Sequence, residues 1–317
     1  MASNMAFNID LNNSFGALYI GATIGAIFFG LSNVQAFLYF QAHRDEGITF
    51  YKIAVCWLCF LDALHVALVN HIIYYYLIVN YANPLALPEI VWSFKVMMII
   101  DTLIVYTVHL LYLQRIWILS KGRTRILPAV MTVPIVSVLG VAIVLLRAIF
   151  KCHLFSELDS IRWTVYLGLG AVTLIDILIA TSLCHLLATA KMGFTKTDRT
   201  LQTLVRDIIN TGCLTSVLSM ACIITGAVMP NNLIYLAIEW LLSKLYVNSY
   251  MALLNARYYH DGSAHTSQAR PPQVYRPELQ VKVSQDVFPR ISTSDKLQVR
   301  APYTLFPLLN RCWESFL

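Results

Sequence analysis

The chain has 317 residues, of which 58% are apolar and only 13% charged, and its mean hydropathy is +0.63. Soluble domains carry roughly 25% charged residues, so a water-soluble globule could not hide this much apolar surface and that class is excluded. The net charge of +6 does not point to nucleic acid either, because the basic residues sit in loops and tail and form no stripe interleaved with aromatics.

The first residues, MASNMAFNIDLNN, are polar and lack the Lys or Arg of a cleavable signal peptide, so the first apolar run is expected to be kept as its own insertion signal. Asn12, Asn13 and Ser14 make an N-glycosylation sequon, with Asn12 as the acceptor. The apolar runs that follow predict seven membrane-crossing helices at 18–40, 53–79, 92–119, 126–150, 163–187, 204–228 and 233–254. Pro84 and Pro88, Gly122 with Pro128, and Pro230 with Asn231 and Asn232 mark the joints between them. The expected architecture is all-α, an integral membrane seven-helix bundle over residues 1–257. A Ser-, Pro- and Gln-rich tail, 258–317, reads as a disordered cytoplasmic segment.

Lys and Arg are retained on the cytoplasmic side of membranes, so their distribution among loops sets the orientation. Ten fall in one set of alternate loops, from Arg44 to Arg206, and four (Lys95, Arg147, Lys151, Arg162) in the other. The N-terminus is therefore expected outside and the C-terminus in the cytoplasm. Gly21 and Gly25 in the first span have the GxxxG spacing that lets a second helix approach closely, within the chain or in a dimer. Cys56, Cys59, Cys184, Cys213 and Cys222 lie within apolar runs, where a thiol packs as a small apolar side chain.

Ionisable groups at bilayer depth cost roughly 2.5–3.5 kcal/mol each on insertion scales, so they are expected to face the bundle interior and to be paired. At ~1.5 Å of rise per residue, Asp62 and Asp101 lie about 14 Å, and Lys244 about 16 Å, into their spans. Asp176 sits in the fifth span, and His65 shares a face with Asp62. Lys244, Asn248 and Asn255 form one stripe of the seventh span, with Glu239 and Ser243 on another. Asp62, His65, Asp101, Asp176, Lys244, Asn248 and Asn255 predict a polar seam at mid-membrane, in which Lys244 pairs with Asp101 or, as second choice, Asp62. Three roles are open to such a seam: interhelical glue, a ligand or signalling site, or an ion or proton path.

Several stretches resemble a family of uncharacterised multi-span membrane proteins of basidiomycete fungi, catalogued as a domain of unknown function. They are GLSNVQAFLYF (30–40), LDALH (61–65), NYANPL (80–85), FSELDSIR (155–162), MGFTKTD (192–198), INTGCLTS (209–216) and, most specifically, MPNN followed by LSKLYVNSYMALLNAR, ending at Arg257. The resemblance implies a seven-helix membrane protein and carries over no activity, substrate or catalytic residue.

The leading function class is a receptor-like sensor, by analogy with the general plan of seven-helix receptors; the alternative is a transporter or ion or proton pathway protein built on the Asp and Lys cluster. The acidic-Arg-Tyr and Asn-Pro-x-x-Tyr signatures of rhodopsin-type receptors are absent at Gln114, Arg115 and at Asn248, Ser249, Tyr250. A retinal Schiff base on Lys244 would need the Arg-Tyr-x-Asp-Trp surroundings of microbial pigments, which MIIDTLIVY around Asp101 lacks. His65, His71, His109 and His185 lie at different depths, which argues against a zinc hydrolase and against an enzyme generally. No metal or cofactor is expected; the expected partners are the lipid bilayer and a small ligand or cytoplasmic protein.

Overall fold

The computed structural model describes residues 12–44, 46–81, 83, 86–120, 126–189, 195–229 and 232–266. Seven α-helices run through them: α1 Ala17–Ala42, α2 Phe50–Tyr74, α3 Trp92–Ser120, α4 Ile126–Lys151, α5 Leu158–Thr189, α6 Thr195–Val228 and α7 Ile234–Thr266. Each coincides with one expected apolar run. Five stretches, 14–42, 50–79, 92–120, 127–151 and 160–188, are long and apolar enough to cross a membrane by length and composition. A sixth, shorter apolar helix is Gly212–Val228. The outward faces carry Ile27, Phe37, Val133 and Trp163, as a lipid environment requires.

Local chemistry sets several helix ends. Thr49 is extended and accepts the Lys52 amide proton at its hydroxyl, which caps α2. A π-helical turn, Tyr75–Val79, carries the chain on from α2. Pro134 lies inside α4, where it removes one backbone donor, and Ser137 donates to its carbonyl at 2.7 Å.

The loop before α3 and the loop before α5 are tied together. Ile90 N donates to His153 O at 2.8 Å and Phe155 N to Pro88 O at 2.9 Å, around a bridge between Glu89 and Leu154. Tyr76 donates its hydroxyl to Glu89 O and accepts from Val91 N at 3.1 Å. Phe155 stacks edge-on against Phe94 at 5.6 Å. These bonds fix the first turns of α3 and α5 beside each other.

Sequential helices pack in pairs from α1 to α6, and α3 also meets α5. Helix α7 touches five others. It meets α1 where Gly21 faces Ala237, α2 at Asp62, α3 where Tyr250 lies edge-on to Tyr112, α5 at Asp176, and α6 where Cys222 donates to Tyr235 O. A Cβ added to Gly21 would stand 3.0–3.1 Å from the Ala237 backbone and Cβ, and one at Gly25 would lie 3.9 Å from the Lys244 side chain. The small-residue pair in α1 therefore lets α7 pack closely within the chain.

Two expectations change. Helix α7 continues to Thr266, nine residues past the expected boundary at Arg257, while residues 267–317, which hold most of the expected tail, lie outside the described residues. Cys56 and Cys213 face outward instead of packing inside, because the helix phase turns them away from the neighbouring helices. Asn12 belongs to a π-helical turn, Asn12–Gly16, and its side chain lies outside the described ones.

Candidate functional site

The buried polar residues separate into three clusters, one packed around Lys244, one around Asp176 at the end of a cavity, and one along the cavity wall. Lys244 and Asp62 are almost fully buried, at 1% and 0% exposure. Lys244 donates to the Asp62 carboxylate and, at 3.2 Å, to the Asp62 main-chain oxygen, and its ammonium lies 5.9 Å from the Phe29 ring centroid. Asp62 thus takes the position expected first for Asp101. Both carboxylates lie at similar depth, but only Asp62 faces the Lys244 stripe of α7.

The same stripe continues as a set of side-chain to backbone bonds. Asn248 Nδ2 donates to Phe28 O at 3.1 Å and Lys244 O at 2.9 Å, and Asn255 Nδ2 donates to Gln35 O at 2.8 Å. Both asparagines therefore bind α7 to α1, filling carbonyl lone pairs that the helix ladder leaves available.

Asp176 on α5 is the centre of the second cluster. His109 Nε2 lies 3.1 Å from Oδ1, Thr215 donates to Oδ2 at 3.0 Å, and Tyr246 also donates to Oδ2. The His109 and Tyr246 rings meet edge-on at 5.6 Å. One buried carboxylate is thereby satisfied by donors from α3, α6 and α7. His109, Thr215 and Tyr246 were not among the seam residues expected from sequence. Sequence spacing does not give the angle at which α5 faces α3, and that angle brings Asp176 to His109.

The third cluster is different in kind. His65 Nε2 on α2 lies 2.9 Å from Asp101 Oδ1, but the carboxylate is off the ring N–H direction, so the contact is not an aligned hydrogen bond. Asp101 Oδ2 is buried without a partner, and so is Glu239 Oε2 on α7. The two carboxylates interact electrostatically. Both border a partly open cavity of about 150 Å³ lined by α3, α4, α5, α6 and α7.

The cavity is lined mainly by apolar and aromatic side chains, including Phe94, Leu139, Ala142 and Val172. Tyr166 also borders it, with its hydroxyl buried and unpartnered. Along α3 the lining runs from Phe94 to His109, about 22 Å at the helical rise. It begins beside the tied loops, where Leu158 and Arg162 contribute to the wall. At its deep end His109 and Tyr246 of the Asp176 cluster form part of the lining. By contrast the space at Lys244 amounts to about 10 Å³, room for one water at most.

Glu239 stood in sequence on the stripe beside Lys244 and was set apart from the seam. Five residues separate the two on α7, a rotation of ~140°, which puts Glu239 on the cavity while Lys244 faces α2. Among the described residues no group of three or more His, Cys, Asp or Glu is placed to hold a metal ion.

Residues 172–259 match a family of unknown function (DUF6534). The matched segment supplies Asp176, Thr215, Glu239, Lys244, Tyr246, Asn248 and Asn255, the α5 to α7 share of all three clusters. No curated protein and no solved structure matches the chain.

Proposed function

We propose that this chain is a seven-span membrane protein, N-terminus outside, that binds a small molecule in the α3–α7 cavity and acts as a receptor-like sensor. The cavity carries the proposal. It is open space of about 150 Å³ bordered by buried polar atoms without partners, whereas the Lys244–Asp62 pair and the three donors on Asp176 join helices to one another, and the unpartnered Asp62 Oδ2 and Asn248 Oδ1 of the first cluster have only about 10 Å³ of space beside Lys244. An apolar pocket with a few convergent polar groups is the usual form of a small-molecule site. The ten-to-four bias of Lys and Arg supports the orientation, and in it the tied loops and the Arg162 end of the cavity face outward. The resemblance to fungal multi-span proteins supports the span count.

Central α7 supplies a means of response, because it contacts five other helices and continues through Thr266 toward the cytoplasmic side of this topology. A ligand that prefers one arrangement of α7 over another would shift the equilibrium between them.

The test is a thermal-shift panel on detergent-purified full-length protein, using amines, acids, alcohols and hydrocarbons of roughly six to ten non-hydrogen atoms, the size a cavity of this volume admits. At least one class should raise the midpoint in the parent and leave Ala142→Phe, which fills the cavity, unmoved. No shift with any class, or equal shifts in Ala142→Phe, would overturn the site.

A proton pathway is the second reading, favoured by the two His–carboxylate contacts, His65–Asp101 and His109–Asp176, that border or approach the same cavity. Pyranine-loaded proteoliposomes under a pH gradient discriminate: proton flux abolished by Asp176→Asn supports a pathway, and tight vesicles support a sensor.

A further inference from the structure

We infer that the ligand of the cavity is a small organic cation: one protonated amine on a compact apolar body, its ammonium held between Asp101 and Glu239. The inference rests on the cavity being a binding site and names the chemistry it selects.

The charge distribution in the described interior leads there. Four carboxylates, those of Asp62, Asp101, Asp176 and Glu239, lie within the bundle. Asp62 has Lys244, and Asp176 has three donors from three helices. Asp101 has a misaligned imidazole on one oxygen, no hydrogen bond on either, and an electrostatic attraction to Lys244, whose own contact is with Asp62; Glu239 Oε2 has no hydrogen-bond partner. Asp101 is 5% exposed, so water outside the bundle does not solvate its carboxylate. Two unpartnered acceptors that border the same low-dielectric space are best satisfied by a group that brings both positive charge and several donors. An ammonium brings one charge and up to three donors.

The rest of the wall fits the other half of such a molecule. Phe94, Tyr106, Tyr166 and Tyr246 place aromatic rings around the space, and aromatic faces attract cations as well as apolar bodies. A cavity of about 150 Å³ accommodates a benzene-sized body. An anion is disfavoured at the Asp101 and Glu239 pair by like charge, and a neutral hydrocarbon would leave both carboxylates unsatisfied.

Benzylammonium and benzyl alcohol share the apolar body and differ in the charged head, so they form the test. Detergent-purified full-length protein is titrated with each, and affinity is read from the thermal midpoint. Benzylammonium should bind at least ~10-fold more tightly than benzyl alcohol, the ratio expected when a charge-assisted hydrogen bond replaces a neutral one. Glu239→Gln, which keeps the shape of the side chain, should lose ~10-fold or more of the benzylammonium affinity and leave benzyl alcohol unchanged; Asp101→Asn is the second variant, should it fold. Equal affinity for the two probes, both abolished by Ala142→Phe, would overturn the cation and leave the cavity a site for neutral ligands. Benzylammonium affinity untouched by both Glu239→Gln and Asp101→Asn would also overturn it, placing the amine elsewhere. Failure of both probes to bind would overturn it too, with the wider fragment panel then deciding whether the cavity binds anything.

Discussion

Lys244 of α7 crosses to α2 and donates to the Asp62 carboxylate and to the main-chain oxygen of the same residue. The two side chains are among the most deeply buried in the protein, and each depends on the other to be charged there. Cutting one member of a buried ion pair typically costs about 3–5 kcal/mol, while removing both is far less harmful. Lys244→Met and Asp62→Asn should each lower the thermal midpoint sharply, and the double variant should recover part of the loss. Asp101→Asn combined with Lys244→Met should bring no such recovery, which separates the two carboxylates that depth alone leaves equivalent.

Asp176 joins three donors on three helices, so its loss reaches further than the loss of any one of them. Asp176→Ala should cost about 2–4 kcal/mol by orphaning buried donors, and Thr215→Val about 1 kcal/mol. Chemical denaturation in mild detergent gives the comparison. Equal losses would show that Asp176 is held by the Thr215 bond alone.

Gly21 and Gly30 sit on the same helix in different surroundings. The Gly21 hydrogen points at the Ala237 backbone, which cannot yield as a side chain would, whereas a Cβ at Gly30 meets nothing within 4 Å. Gly21→Val should force α1 and α7 apart and cost about 2 kcal/mol or more. Gly30→Ala should be neutral or slightly stabilising, since Ala is the better helix former. Thermal melting of the two variants side by side checks the contrast.

Glu157, in the loop before α5, accepts the His153 amide proton at 2.7 Å and the Leu154 amide proton at 3.5 Å. These backbone donors, the His153 amide first, hold its carboxyl below the usual glutamate range. A depressed carboxyl contributes order that is complete above the unfolded pKa of ~4.3 and is lost as pH falls through the folded value. Hydrogen exchange at the His153 amide, corrected for intrinsic rate, should therefore be protected at pH 6 and lose protection below pH ~4. In Glu157→Gln that pH dependence should vanish.

Much of the fold is legible in the chain because apolar runs of bilayer length leave little choice of element. Trp92 to Leu119 and Ile126 to Phe150 were expected spans and are α3 and α4 to within a residue. The depths of Asp62, Asp101 and Lys244 followed from helical rise, and so did the common stripe of Lys244, Asn248 and Asn255. What depth cannot give is the order of helices around the bundle and the angle at which each faces its neighbours. That is why depth leaves Asp101 and Asp62 equivalent as partners for Lys244, why stripes alone do not turn Glu239 toward the cavity, and why the contact of His109 with Asp176 has no sign in the spacing. The cavity has no sequence signature at all, since its wall is assembled from faces of five helices that only packing brings together.

The central claim is a division of labour among buried carboxylates: Asp62 holds helices together, and Glu239 waits on a ligand. Thermal midpoints of Asp62→Asn and Glu239→Gln, measured together without ligand, test it most directly. The account predicts a large fall for Asp62→Asn, and no change or a rise for Glu239→Gln, because Glu239 Oε2 has no hydrogen-bond partner to lose. A fall in Glu239→Gln as large as that in Asp62→Asn would contradict it and make Glu239 part of the glue.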